Sequence, residues 1–174
     1  MAPVRLAVGG GPSTYPVGHN GFMPPAAGQP APDFTLEGIE SGVRRSFSLT
    51  GARGSCLVLA FYPGDDTLVC TKQLCSYQDD LARLTDLRAT VWGISSQDLD
   101  SHERFAAKRA LTFPLLADPE RTVQKAYGVA GPFGHTKRSV FVIDGEGVLR
   151  WSHVSTLGLT YQDSDTLAEV LRGL

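Results

Sequence analysis

Residues 56–84 read CLVLAFYPGDDTLVCTKQLCSYQDDLARL, and this stretch predicts a buried strand, a tight turn and an amphipathic helix. The apolar run at its start ends at Pro63-Gly64, and a continuous run of this kind is typical of a central strand covered on both faces. After the turn, apolar residues recur at the spacing of one helical face: Cys70, Leu74, Tyr77, Leu81 and Leu84. We therefore predict an α/β domain that is built outward from this strand.

The flanking sequence alternates strand and helix patterns and closes with a hairpin. Further strands are predicted at Phe34–Leu36 and Val43–Leu49 (an entry hairpin), Thr90–Ile94, Phe113–Leu116, Ser139–Ile143 and Val148–His153. Helices are predicted to start at Asp98 or Asp100, at Arg121, and at Asp163 or Ser164. This order predicts a central mixed β-sheet with helices on both faces. Residues 1–23, rich in glycine and proline, are expected to form a flexible N-terminal tail, and residues 24–174 a single domain.

Composition and charge exclude several classes of function. The 174-residue chain is 42% hydrophobic and 20% charged, as ordinary globular proteins are. Its net charge of −2, with scattered Lys and Arg, is unlike that of a nucleic-acid-binding protein, which needs a cationic surface. No apolar run approaches the roughly 20 residues that span a bilayer, and residues 1–22 do not have the pattern of a secretory signal. We expect a cytoplasmic protein with no nucleic-acid or membrane partner.

Cys70 lies where a reactive sulfur is expected. The turn and the N-cap candidates at 65–67 place it in the first turn of the predicted helix. At that position the backbone N–H groups that have no helical partner, together with the helix dipole, favour negative charge. The thiolate is the nucleophilic form of cysteine, so this position predicts a nucleophile. Thr67, three residues earlier, can direct its hydroxyl at the same spot.

Cys75 follows five residues later, and this spacing limits any disulfide between the two cysteines. Five residues of α-helix separate two Cα atoms by roughly 9 Å, whereas a disulfide tolerates at most about 7 Å. A Cys70–Cys75 bond therefore requires the first helical turns to unwind. The residues alone leave two interpretations open, a redox pair or two small buried side chains on a helix. Cys56, inside the apolar run, is expected to be a core residue.

Other chemistry fits the pattern less well. A C-x4-C pair in one helix does not present two thiolates to one zinc ion, and His102, His135 and His153 are not spaced as further ligands. A thiol–disulfide oxidoreductase would have C-x-x-C at the helix start. Asp65 and Asp66 are interpreted as capping or solvated turn residues, because neighbouring turn side chains point apart.

The segment from Pro63 to Cys70 resembles a known active-site signature. Pro63-x-x-x-Thr67-x-x-Cys70 is similar to that of the peroxiredoxins, which are thiol peroxidases on a thioredoxin-like fold. The spacing of Cys70 and Cys75 resembles the PrxQ, or bacterioferritin comigratory protein, branch. Further segments that resemble the family are 28–36, 93–95, 113–118, 126–129 and 138–144. The resemblance covers about residues 24–174 and implies a thioredoxin-like α/β fold.

The resemblance implies a role for each matching residue. Cys70 would be the peroxidatic cysteine, which attacks the terminal peroxide oxygen and becomes a sulfenic acid. Thr67 would hydrogen-bond the peroxide, Arg138 would stabilise the thiolate, and Pro63 would shield the pocket from water. Cys75 would be the resolving cysteine, forming an intramolecular disulfide that thioredoxin then reduces. No metal, haem or nucleotide cofactor is implied, and an accessible thiolate beside a second cysteine is the expected redox site.

The chain also departs from the family pattern. Leu68-Val69 stands where many PrxQ proteins carry Pro-Gly, and Gln73 stands where the wider family often has Glu. Residues 1–23 have no family counterpart. Because no cysteine follows Cys75 in this sequence, a resolving cysteine near the C-terminus of a partner subunit is not expected. A monomer and a homodimer are both compatible with the pattern.

The predicted function is a thioredoxin-dependent thiol peroxidase for hydrogen peroxide and organic hydroperoxides. A thiol–disulfide oxidoreductase on the same fold and a redox sensor or holdase remain as alternatives. Without the resemblance, the position of Arg138 near a strand start would indicate a solvated surface charge. His135, Phe133 and Leu68 are candidates for lining the entrance to the site.

Overall fold

A computed structural model describes residues 23–155 and 160–174, and within these ranges seven strands form one mixed sheet. The strands are β1 (Thr35–Glu40), β2 (Val43–Ser48), β3 (Cys56–Phe61), β4 (Ala89–Ser95), β5 (Leu115–Ala117), β6 (Ser139–Ile143) and β7 (Leu149–Val154). The α-helices in the same ranges are α1 (Leu68–Asp79), α2 (Leu81–Asp86), α3 (Leu99–Arg109), α4 (Thr122–Ala126) and α5 (Ser164–Arg172). The predicted tail lies outside the described residues except for Met23.

The sheet order is β2-β1-β5-β4-β3-β6-β7, with the predicted strand β3 near its centre. β3 pairs parallel with β4 and antiparallel with β6, and β4 pairs parallel with β5. Hairpins close both edges, β1–β2 on one side and β6–β7 on the other. The carboxyl ends of β3, β4 and β5 therefore meet at one edge of the sheet, where the loops that follow them converge.

Apolar residues of β3 alternate between two cores, one on each face of the sheet. One core holds Val58, Ala60 and Tyr62 of this segment together with apolar residues of α1, α2, α3 and α5. The other holds Leu57, Leu59 and Phe61 and the α4 side of the sheet. Cores on both faces explain why this strand is a continuous apolar run and not an alternating one. The predicted mixed sheet with helices on both faces is confirmed.

The single helix predicted after the turn is two helices. Its backbone is interrupted at Asp80, which adopts φ −103° and ψ 14° between α1 and α2. The carboxylate of Asp80 accepts a hydrogen bond from Ser164 at the start of α5, which ties the break to the C-terminal helix. The apolar face continues through the break, because Leu84 and Tyr77 are both buried in the same core. Apolar spacing alone therefore does not reveal the interruption.

No helix in the described ranges is long and apolar enough to cross a lipid bilayer. The longest of them, α1, has 12 residues, against the roughly 20 that a membrane-spanning helix needs.

Candidate active site

The chain turns sharply between the end of β3 and the start of α1. Asp66 adopts a left-handed backbone, with φ of 58°, and Thr67 returns to an extended conformation as the N-cap residue of α1. The backbone N–H of Thr71 then donates to the carbonyl of Thr67 at 2.9 Å, which closes the first turn. Cys70 thus occupies the first helical turn, as predicted. No acidic side chain lies in that turn, so nothing there opposes a negative charge on sulfur.

The Cys70 sulfur is held by a buried arginine. Nη2 of Arg138 lies 3.2 Å from Sγ of Cys70. Cys70 has 0% of its surface exposed and Arg138 has 3%, so water screens this contact very little. An accessible sulfur was expected, and in this conformation the sulfur is instead closed off from solvent. The arrangement places a guanidinium, which remains charged in proteins, within hydrogen-bond distance of the Cys70 sulfur.

The pairing of β6 with β3 brings Arg138 to the site. Ser139, the first residue of β6, pairs with Phe61, the last residue of β3. Arg138 precedes Ser139 and therefore lies beside the carboxyl end of β3, where the loop to Cys70 begins. Sequence position alone suggested that Arg138 is a surface residue. This interpretation is wrong, because the pairing of β6 with β3 places Arg138 in the interior.

Gln73 links Arg138 to a second buried residue. Its Oε1 accepts from Nη1 of Arg138, and its Nε2 donates to the hydroxyl of Tyr77 at 3.0 Å. The Tyr77 hydroxyl in turn donates to the carbonyl of Gln162 at 2.6 Å, just before α5. Burial raises the pKa of Tyr77, which keeps this hydroxyl neutral and able to donate. One guanidinium thus faces both the Cys70 sulfur and a neutral amide.

Thr67 and Pro63 lie on the solvent side of the same turn. Thr67 is exposed, and its hydroxyl donates to the carbonyl of Gly64 at 3.3 Å, a long bond. It makes no side-chain cap bond to α1, so the hydroxyl is not committed to holding the helix. Pro63, two residues after the end of β3, is half-buried. Both residues lie close in sequence to the start of α1, and of the two the N-cap residue Thr67 is the more exposed.

Cys75 lies within the intact helix α1 and is half-buried. Both it and Cys70 are free thiols, separated by a little more than one helical turn. Since helical geometry keeps their Cα atoms roughly 9 Å apart, this conformation does not permit a disulfide between them. Cys56, at the far end of β3, is half-buried against the core, and burial raises the pKa of its thiol.

A buried carboxylate–imidazole pair under the turn was not found by sequence reasoning. Nδ1 of His102 lies 2.9 Å from the Asp65 carboxylate, and the two side chains are 0% and 3% exposed. The hydroxyls of Tyr62 and Ser101 also donate to Asp65, at 2.8 and 2.7 Å. The interpretation of Asp65 as a capping or solvated residue is therefore wrong. For Asp66 the interpretation as a solvated turn residue is right, because its side chain is exposed and pairs with Lys108.

Candidate entrance residues lie at the surface. Leu68 is 82% exposed at the start of α1, while Phe133 and His135 are exposed near Arg138 in sequence. In the described part of the chain, no group of three or more His, Cys, Asp or Glu side chains is arranged to hold a metal ion.

Comparison with known proteins agrees with this geometry. Residues 27–152, more than half of the chain, match the model of the AhpC/TSA family. The chain belongs to the AhpC/TSA family. This membership confirms the resemblance on which the sequence analysis relied, and the matched range contains every predicted site residue.

Relatives in the family are similar along most of this chain. It is 37% identical over 141 residues to "Peroxiredoxin Q, chloroplastic" of Populus jackii, covering 80% of this chain and 65% of that protein. It is 38% identical over 140 residues to "Putative peroxiredoxin bcp" of Coxiella burnetii, covering 75% of this chain and 91% of that protein. The chain thus spans slightly less than two thirds of the poplar protein and most of the bacterial one.

Solved structures show the same fold. The crystal structure of Enterococcus faecalis AhpC superposes with a TM-score of 0.79 at 24% identity, covering 84% of this chain and 90% of that one. Mycobacterium tuberculosis AhpC gives the same TM-score at 21% identity. The predicted thioredoxin-like α/β fold is thereby confirmed.

Proposed function

We propose that this AhpC/TSA family protein is a thiol-dependent peroxidase that reduces hydrogen peroxide and organic hydroperoxides at Cys70. The contact of 3.2 Å between Arg138 and the Cys70 sulfur carries the proposal. A buried thiol with no cationic partner would be inert, whereas a guanidinium and the start of a helix stabilise its anion. The proposed catalytic domain spans residues 24–174, with residues 1–23 as its tail.

In the first step the Cys70 thiolate attacks the terminal oxygen of the peroxide. A sulfur–oxygen bond forms, the oxygen–oxygen bond breaks, and the alcohol or water leaves after taking up a proton. Cys70 is oxidised to a sulfenic acid and the peroxide is reduced by two electrons. In this proposal Arg138 stabilises the charge that develops on the departing oxygen, and the Thr67 hydroxyl holds the peroxide. Pro63 limits the entry of water from the strand side.

Because Cys70 is buried in this conformation, the peroxide must enter where the helix start borders solvent. Thr67 and Leu68 are the exposed residues there. The apolar Leu68 side chain gives an organic hydroperoxide a surface to contact.

In the second step Cys75 attacks the sulfur of the Cys70 sulfenic acid. The sulfur–sulfur bond forms and the oxygen leaves as water, so no further oxidant is needed. The first turns of α1 must unwind for this step, since the intact helix holds the two cysteines too far apart. A thioredoxin-type dithiol then reduces the disulfide and restores both thiols.

Replacing Cys70 with Ser tests this function, with Cys56→Ser as the matched control. Peroxide consumption coupled to thioredoxin and its reductase should be lost in the Cys70 variant and kept in the Cys56 variant, because Cys56 lies at the opposite end of β3. Peroxide turnover by Cys70→Ser at the rate of the unsubstituted chain would refute the proposal.

A further inference from the structure

The buried pair of Asp65 and His102 lies directly beneath the turn that leads to Cys70, yet the proposed chemistry gives it no role. Asp65 belongs to this turn, and His102 lies on α3, which follows the neighbouring strand β4. The Asp65 backbone is held as well, since its N–H donates to the side chain of Gln97. The turn is therefore fastened to the β4–α3 region through both the backbone and the side chain of one residue.

Each ring nitrogen of His102 faces an oxygen. Nδ1 faces the Asp65 carboxylate at 2.9 Å and Nε2 faces the carbonyl of Leu116 at 3.2 Å. Both oxygens are hydrogen-bond acceptors. The other groups that face the pair are the hydroxyls of Tyr62, Ser95 and Ser101. Asp65 therefore accepts several bonds at once from groups anchored in the sheet and in α3.

Tyr62 hydrogen-bonds to this pair and lies in the same buried core as Cys70. Its hydroxyl donates to Asp65 at 2.8 Å. Burial raises the pKa of Tyr62 well above its usual value, the Asp65 charge acts in the same direction, and Cys70 is close enough to add to the effect. Tyr62 immediately follows β3, so the pair is hydrogen-bonded to the end of the strand that leads into the turn.

The adjacent residue provides a natural comparison. Asp66 also links the turn to α3, through Lys108 at 2.9 Å and Arg109 at 3.5 Å, but all three side chains are exposed to solvent. Exposed ion pairs contribute little to stability, whereas a hydrogen bond to a buried charged group contributes more, because losing it leaves a buried polar group without a partner. The two neighbouring carboxylates thus differ mainly in burial.

We infer that Asp65 and His102 are positioning residues that keep the turn and the first turn of α1 folded, and so set how fast the Cys70 sulfenic acid is converted to the Cys70–Cys75 disulfide. This inference rests on the proposed function. The folded turn holds Cys70 against Arg138 for the reaction with peroxide. Resolution needs the same turn to open, so an anchor that favours the first step slows the second.

Weakening the anchor should therefore change the two rates in opposite directions. In Asp65→Asn, sulfenic acid formation should slow and disulfide formation should accelerate, each by about tenfold or more, because the charged acceptor of several buried hydrogen bonds is lost. In Asp66→Asn both rates should stay within about threefold of the original, as expected for an exposed pair. Asn tolerates the left-handed backbone at position 66, so this control keeps the shape of the turn.

A milder variant covers the case in which Asp65→Asn does not fold. Ser101→Ala removes only the 2.7 Å hydrogen bond to Asp65 and leaves the contact between Asp65 and His102 in place. Both rates should move in the same directions as in Asp65→Asn, by about two- to tenfold. A residue with only a structural role would lower stability without accelerating disulfide formation.

The experiment is quenched-flow mixing of the reduced full-length chain with hydrogen peroxide. At each time the sulfenic acid is trapped with dimedone, and mass spectrometry measures the Cys70 adduct and the Cys70–Cys75 disulfide. Faster disulfide formation in the Asp65 and Ser101 variants, with Asp66→Asn unchanged, supports the inference. If these variants form the disulfide at the rate of Asp66→Asn while the unsubstituted chain gives both products, the inference is wrong and the proposed function stands. If the unsubstituted chain gives neither product at Cys70, both are refuted.

Discussion

Replacing Arg138 with Gln should slow the reaction of Cys70 with peroxide by about 10- to 150-fold. The substitution removes the guanidinium that lies 3.2 Å from the sulfur in a fully buried site. A hydrogen bond to a charged group contributes about 1.5–3 kcal/mol, and each 1.36 kcal/mol of barrier changes a rate about tenfold. Arg138→Lys should slow the reaction less than Arg138→Gln, because lysine keeps the positive charge. It should still slow the reaction, because an ammonium group cannot bridge Cys70 and Gln73 as the planar guanidinium does.

The assay measures the pre-steady-state rate of sulfenic acid formation at Cys70 over a range of peroxide concentrations. The sulfenic acid is detected by chemical trapping and mass spectrometry. Arg83→Gln is the matched control, since Arg83 is exposed on α2 and pairs with Asp165 at the surface. It should react like the original chain. If Arg138→Gln is folded, as judged by its thermal unfolding, and still reacts within about twofold of the control, the proposed electrostatic role of Arg138 is wrong.

Three further substitutions test other parts of the site and fold. Cys75→Ser should leave sulfenic acid formation unchanged while thioredoxin-coupled turnover falls to background, and a disulfide found in this variant would contradict the assignment. Thr67→Val should slow the peroxide reaction about two- to tenfold, with Thr67→Ser near the original rate and little change in stability, because Thr67 makes no side-chain cap bond. Asp163→Ala should lower the free energy of unfolding by about 1 kcal/mol at pH 7. The Thr166 backbone N–H lowers the pKa of Asp163, so the cap contributes above the unfolded-state pKa of about 3.9, and the difference between variant and original in urea unfolding should shrink as the pH falls below it.

Local sequence patterns predicted the parts of the site that are close in sequence. The apolar run, the turn and the helical spacing are consequences of backbone geometry over about 30 residues, and the structure confirms β3 and the start of α1. The position of Cys70 in the first helical turn follows from these elements alone. The interruption at Asp80 was missed because the apolar stripe runs through it.

Contacts between distant segments were harder to predict. Arg138 reaches Cys70 through the register of β6 on β3, and no local pattern encodes which strands pair or in which register. Only the family resemblance suggested its place. The Asp65–His102 pair had a usable signal, because both residues follow neighbouring parallel strands whose carboxyl ends meet. Burial of both side chains, however, depends on how α3 packs.

Intact-mass measurement of the reduced protein before and after one equivalent of hydrogen peroxide tests the proposed chemistry most directly. The prediction is a loss of about 2 Da, mapped by peptide analysis to a bond between Cys70 and Cys75, with Cys56 still a free thiol. An unchanged mass, or oxidation found at Cys56 while Cys70 remains reduced, would contradict the assignment of Cys70 as the nucleophile.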